Sequence, residues 1–250
     1  MEPLVNLWLI RAFTGPLHTT LEHIWDAIAE YEAPHGVRLN VYDNAGAPQR
    51  HGEALNSIWA AECGRPEVFF AFTEYDFLPE LRNRDWLGIE QHGDDYGLWG
   101  AMYATRGEGR SLIQDPDACA GWFFIINKLY CPRRLAFDHQ PDPANDLPRL
   151  FDRAGLPWRL YAGTDTTLDG HGHGIAYKNF GTHLFWSRHY NDPPETQLGP
   201  WTAGEIQAGV RAEIKAWFQR QPQAFRDLYV RRFGSTGWVS SSGSTAERVT

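Results

Sequence analysis

Two acids placed at the end of an apolar run are the residues with the clearest chemical potential in this chain. In VFFAFTEYDFLP, the stretch from Val68 to Phe72 has the composition of a buried strand. It ends in Glu74 and Asp76, spaced i, i+2, and Pro79 then stops strand pairing. In an open α/β sheet, ligands bind just beyond the carboxyl ends of the strands. Two carboxylates at that place are costly for packing but suited to holding a divalent cation against phosphate oxygens. The plain alternative for an isolated E-x-D is a solvated turn. Histidines form a second group. His171 and His173 in DGHGHG flank a glycine and point to the same side of an extended chain, where either would complete a metal shell or meet a diphosphate. His183 and His189 in THLFWSRHY compete with them; in the same segment Trp186 would stack on a sugar and Arg188 would grip a phosphate.

These groups need elements to position them. Residues 4–10 read as a strand, and 19–31 as an amphipathic helix with Leu21, Ile24, Trp25 and Ile28 on one face. Residues 37–42 form a second strand, broken by the turn-prone Asp43-Asn44, and 52–63 form a helix ahead of the strand that leads to Glu74. Strands alternating with helices of this length predict an α/β fold with a mostly parallel sheet covered on both faces. Residues 88–118 are rich in glycine and aspartate and read as a long functional loop carrying Asp94 and Asp95. Order returns in a strand over 121–129, a short helix over 147–154 and a strand over 158–161. Residues 201–233 read as one or two helices interrupted at Pro222, and the Gly/Ser/Thr-rich residues 234–250 as a disordered tail.

Bulk composition narrows the function classes. With 250 residues, 42% apolar and 22% charged, the chain reads as a soluble globular protein. No apolar run approaches the roughly 20 residues that span a bilayer, so no integral membrane contact is expected. Cys63, Cys119 and Cys131 are odd in number and lack metal-ligand spacing, which predicts a reduced, cytoplasmic setting. A net charge of −8 argues against indiscriminate nucleic-acid binding, although a local basic groove is compatible with it.

Three features stand in order along the chain: a strand ending in Val41-Tyr42-Asp43-Asn44, a helix carrying Asn56 in EALNSIWAA, and a strand ending in Glu74-Tyr75-Asp76-Phe77-Leu78-Pro79. This set resembles the amino-terminal half of a GT-A-fold, family-2-like nucleotide-sugar glycosyltransferase, with its D-N-G-S turn, helical asparagine and D-x-D motif. GWFFIINKLYCPRRLAFD and ANDLPRLFDRAGLPWRLYAG are similar to the later family segments, a strand before a basic turn and an acidic helix before a glycine and a strand. The likeness covers about residues 4–190, with departures: Glu74 stands for the first acid of D-x-D, the turn after Asn44 lacks serine, and the expected acid of the later helix falls near Ala144, between Asp142 and Asp146.

The resemblance implies a GT-A (Rossmann-like) catalytic domain over residues 1–200 with a helical extension over 201–233. It implies an inverting transfer from a nucleotide-diphosphate sugar, UDP-linked by preference, with Mn²⁺ or Mg²⁺ held by Asp76 and Glu74. Arg11, Thr14, Asp43, Asn44, Asn56 and Tyr75 would bind the nucleotide-sugar. Asp146 or Asp142 would deprotonate the acceptor hydroxyl, with Asp94 and Asp95 as rivals; for Asp146, ahead of Leu147-Pro148, the structural alternative is a helix N-cap. The acceptor would be a cell-surface glycan, or DNA bearing hydroxymethylated pyrimidines, gripped by arginines such as Arg82 and Arg231. Two other classes remain: a metal-dependent hydrolase using the HGHG histidines with Asp165 and Asp169, and a non-catalytic sugar or nucleic-acid binder suggested by the 14% aromatic content.

Overall fold

The structure is a computed structural model and describes residues 5–11, 16–44, 50–106, 112–137, 142–166, 173–184, 190, 192–198 and 201–234. The chain opens as two β-α-β units. Strand β1 (Val5–Arg11) is followed by helix α1 (Pro16–Glu32) and strand β2 (Val37–Asp43), then by helix α2 (His51–Glu62) and strand β3 (Phe69–Glu74). β1 pairs parallel with both β2 and β3. After β4 (Phe77–Pro79) and the single turn α3 (Ile89–His92), β5 (Leu98–Arg106) and β6 (Leu112–Asn127) form a long hairpin. Helix α4 (Leu147–Arg153) leads to β7 (Trp158–Tyr161).

These strands form one six-stranded sheet in the order β2-β1-β3-β6-β5-β7. Every strand in it runs the same way except β6, which is antiparallel to β3 and β5, so the sheet is mainly parallel, as the strand–helix alternation predicts. A second, antiparallel sheet orders β4-β10-β9-β8, from β8 (Gly163–Asp165), β9 (Gly174–Tyr177) and β10 (Gly181–Leu184). The chain then makes the short pair β11 (Gln197–Leu198) and β12 (Trp201–Thr202), and helices α5 (Ala203–Arg220) and α6 (Gln223–Phe233).

Period-two alternation divides the core between the two faces of the large sheet. Leu7, Leu9, Ala71, Phe123 and Ile125 pack with Leu21, Ile24 and Trp25 of α1 and with Ile206, Trp217, Phe225 and Tyr229 of α5 and α6. Ile10, Phe70, Phe72, Phe124 and Ile126 face Ala54, Leu55 and Ile58 of α2 and Leu147 and Phe151 of α4. Helices α5 and α6 therefore share a core with α1. α5 starts at a capping box, in which the Thr202 hydroxyl accepts from Glu205 N at 3.2 Å and a Glu205 carboxylate oxygen accepts from Thr202 N at 2.7 Å. At the base of the sheet Glu62 is fully buried and accepts from Asn6 Nδ2 and Trp8 Nε1, each at 2.9 Å, and from Lys128 Nζ at 3.2 Å. This network ties the end of α2 to the start of β1 and the end of β6.

One expectation is corrected here. Within the stretch read from sequence as a long loop, residues 89–92 form α3, 98–106 form β5, and 112–118 form the first half of β6. The glycine density reflects close approach. A Cβ on Gly100 would meet Phe123 O at 2.7 Å across the ladder, so a side chain there would push the hairpin apart. Among the described residues, no helix is long and apolar enough to cross a membrane.

Candidate functional site

Parallel pairing brings the ends of β1, β2 and β3 to one edge of the sheet. The register sets Arg11 opposite Asp43 and Ile10 opposite Glu74. Beyond β3 the chain turns through Tyr75 and Asp76 into β4, and β10 pairs with β4 with His183 opposite Phe77. Leu184 N donates to Asp76 O at 2.9 Å, fixing that turn to β10. The His183 ring stacks on Trp122 of β6 at 4.4 Å with 7° between planes. Held so, its Nε2 lies 3.6 Å from Asp76 Oδ1 and 4.0 Å from Glu74 Oε2.

Glu74, Asp76 and His183 thus offer three ligand atoms that lie within 4.8 Å of one another. Asp76 and His183 are buried and Glu74 is half-buried. Burial pushes the His183 imidazole below its ordinary pKa, against the opposing pull of Asp76. That favours the neutral ring, the form that ligates a metal. Two carboxylates with one imidazole suit Mn²⁺ well, and Mg²⁺ through the carboxylates. A second histidine backs the group: His51 Nε2 lies 3.2 Å from Glu74 Oε1, and burial pushes its pKa down to about 4. His51 opens α2, and a helix following a parallel strand starts at the strand's carboxyl edge. That position is the only signal the sequence holds for it.

A third carboxylate stands against β6. Asp142 accepts from Ala144 N at 3.1 Å and from Gly121 N, and burial raises its carboxyl pKa to about 7 while those hydrogen bonds oppose the rise. Gly121 is adjacent to Trp122, the platform under His183. A Cβ on Gly121 would lie 2.5 Å from Asp142 Oδ1, so the acid reaches this place because residue 121 has no side chain. Asp146 is placed differently. It precedes α4, makes no side-chain cap hydrogen bond, and meets Arg149 at 3.2 Å on the surface. Ala144, between the two acids, is fully buried.

The remaining sequence-selected residues divide into those at this edge and those elsewhere. Arg11 Nη1 lies 3.7 Å from Asp43 Oδ2, and Asn44 is buried with its N donating to Arg11 O at 3.0 Å. Tyr75 is turned into the core, its ring edge-on to His18 at 5.2 Å and its carbonyl accepting from Trp25 Nε1 at 2.8 Å. The Asn56 amide bonds both backbone groups of Phe137, each at 3.0 Å, tying α2 to the segment after β6. Asp94 and Asp95 are exposed just before β5. β5 runs parallel to β3, so its start lies at the opposite end of the sheet from Asp76 and these acids are not brought to the site. His173 is buried near α5, 6.1 Å from the Trp201 ring, and is not part of the Glu74–Asp76–His183 group. Thr14, His171, Trp186 and Arg188 lie outside the described residues.

Comparison with known proteins gives structural neighbours only. No family model matches the chain, and no curated protein matches it. Among solved structures, it is similar to a Drosophila β1,4-galactosyltransferase 7 mutant in complex with manganese, UDP-Gal and xylobiose, at 12% identity and TM-score 0.47 over 78% of this chain and 75% of that one. It is similar to TarS of S. aureus at 10% identity and TM-score 0.39, over 99% of this chain and 76% of that one. It is also similar to a glycosyltransferase involved in glycosylating the major capsid of PBCV-1, at 14% identity and TM-score 0.34, over 50% and 60% of the two chains. Two of these neighbours are named as sugar transferases, a galactosyltransferase and a glycosyltransferase. Likenesses this loose assign no residue a role.

Proposed function

We propose that this chain moves a glycosyl group from a nucleoside-diphosphate sugar, UDP-linked by preference, to an acceptor hydroxyl. The observation that carries this reading is the group of Glu74, Asp76 and His183, three ligand atoms within 4.8 Å at the carboxyl edge of a mainly parallel sheet. These residues would hold Mn²⁺ or Mg²⁺. A cation bound there supplies positive charge for the departing diphosphate.

The chain's own residues supply the rest. Arg11, Asp43 and Asn44 stand at the same edge, where the base and ribose of a donor would lie. Asp142 is the general base in preference to Asp146, because burial gives it a pKa of about 7, suited to taking a proton at neutral pH. Asp146 is on the surface, paired with Arg149. Base removal of the acceptor proton with displacement at the sugar carbon predicts inversion, through an oxocarbenium-like transition state. The acceptor is a glycan hydroxyl or a hydroxymethylated pyrimidine in DNA. Transfer to DNA would fall steeply with salt, whereas transfer to a neutral glycan would not.

Thermal stabilisation by nucleotides and nucleotide-sugars, with and without Mn²⁺, tests the donor site. A ligand that binds only the folded chain raises its melting temperature by mass action. UDP or a UDP-sugar should shift the melting temperature only with Mn²⁺, and Asp76→Ala should remove the shift. A chain that responds to no nucleotide is not a nucleotide-sugar transferase.

A further inference from the structure

The His173 of the HGHG motif lies on a separate cavity, on the far side of the small sheet from the metal group. Alternation along β10 divides the two: His183 faces Glu74 and Asp76, while its neighbour Thr182 lines a cavity of about 700 Å³ between β9–β10 and α5. That volume lies within the usual range for small-molecule sites. Three groups set its chemistry. Inside are His173, Thr166 and Glu213, with the Thr166 hydroxyl against the Glu213 carboxylate. At the mouth are the exposed Lys178 and Arg220. The third cation, Arg82, is engaged in a forked pair with Glu80 at 2.7 and 2.9 Å. Ala212 and Ala216 of α5 leave the space between these groups open.

From this arrangement we propose that the cavity is a binding site for a small hydroxylated anion, a sugar phosphate or a sugar acid. A carboxylate within a cavity accepts hydrogen bonds, so Glu213 selects ligands that present hydroxyl donors. Two flexible cations at the mouth select an anionic group held some distance from those hydroxyls, and Arg220 can grip it in a fork. Burial holds the Glu213 pKa above its ordinary value, against the opposing Thr166 hydroxyl and, less strongly, Arg220. The site shares a strand with the metal group but no ligand atom, and it stands whether or not the chain is a glycosyltransferase.

Calorimetric titration of the full chain with glucose 6-phosphate, glucuronate, glucose and inorganic phosphate tests this. Glucose 6-phosphate or glucuronate should bind at least tenfold more tightly than glucose or phosphate alone, and which of the two is preferred tells a phosphate site from a carboxylate site. Binding should survive Asp76→Ala. It should be lost in Ala216→Leu, which fills the cavity, and in Glu213→Gln, which serves if the filled variant does not fold. Lys178→Ala with Arg220→Ala should abolish the preference for the anions over glucose. Absence of saturable binding by any probe overturns the proposal. So does binding that Asp76→Ala removes and Ala216→Leu leaves intact, because the ligand then sits at the metal group. Inorganic phosphate binding as tightly as the sugar anions would also overturn it, since the hydroxyl recognition would be absent.

Discussion

Replacing Asp142 with asparagine should make the protein more stable at alkaline pH while slowing transfer. The ordinary carboxyl pKa of 3.8 is raised to about 7 in the folded chain, chiefly by burial. A gap of about three units corresponds to a free-energy difference of about 4 kcal/mol at most, since the side chain keeps some contact with solvent. Below about pH 4 the acid is protonated folded and unfolded and contributes nothing. Between about pH 4 and 7 the unfolded chain releases its proton while the folded chain keeps it. Folded protein then binds more protons, so stability falls as pH rises, and the full loss is present above about pH 7. An asparagine amide in this place would retain an oxygen for the N–H groups of Ala144 and Gly121 but carry no charge. Asp142→Asn should therefore match the parent near pH 4 and exceed it by up to about 4 kcal/mol near pH 8. Glu32 and Glu213 shift in the same direction but are common to both chains, so they cancel in the difference. Paired urea unfolding across that pH range measures it. Loss of a general base should also lower kcat by roughly 10²–10⁴-fold. A stability difference that does not change with pH would show a solvated carboxylate and refute the reasoning. A stability gain with transfer intact would remove Asp142 from the base role.

Gly121→Ala places a methyl group 2.5 Å from Asp142 Oδ1, so the carboxylate must move; kcat should fall far more than the melting temperature, as read by parallel assays of both. Glu62→Ala leaves Lys128 and the amide and indole donors of Asn6 and Trp8 buried around an empty site, and chemical denaturation should show a loss of about 3–5 kcal/mol. Glu32 is raised to about 7 by burial, so Glu32→Gln should leave stability unchanged near pH 4 and raise it by about 3 kcal/mol near pH 8, measured by urea midpoints.

Much of the edge that carries the site is legible in the chain. A run such as VFFAF followed by two acids announces both a buried strand and its end, whereas Pro79, read as a stop to pairing, is the last residue of β4 and pairs with Gly181. The helical periodicities of α1 and α2 announce parallel connections, and parallel strands necessarily put Arg11, Asp43 and Glu74 at one edge. The stretch from residue 88 to 118 reads as a loop because glycine signals two opposite things, freedom and close approach. Nothing local tells that Gly100 lies under Phe123. The outer part of the β5–β6 hairpin also has charged and exposed residues, which hides the alternation of a strand.

The sequence by itself determined where the first three strands lie, their parallel sense and the pair of acids that follows the third. Only the tertiary structure decided which histidine joins them and which of the later acids packs against β6. His183 reaches Asp76 because β10 pairs with β4 in one register, and a shift of one residue would present Thr182 in its place. His173 fell on the other side because β9 turns it toward α5. Asp142 is distinguished from Asp146 by burial against a glycine that precedes it by some 20 positions in the chain. Pairing register and desolvation are contacts between distant segments, and spacing along one segment does not contain them.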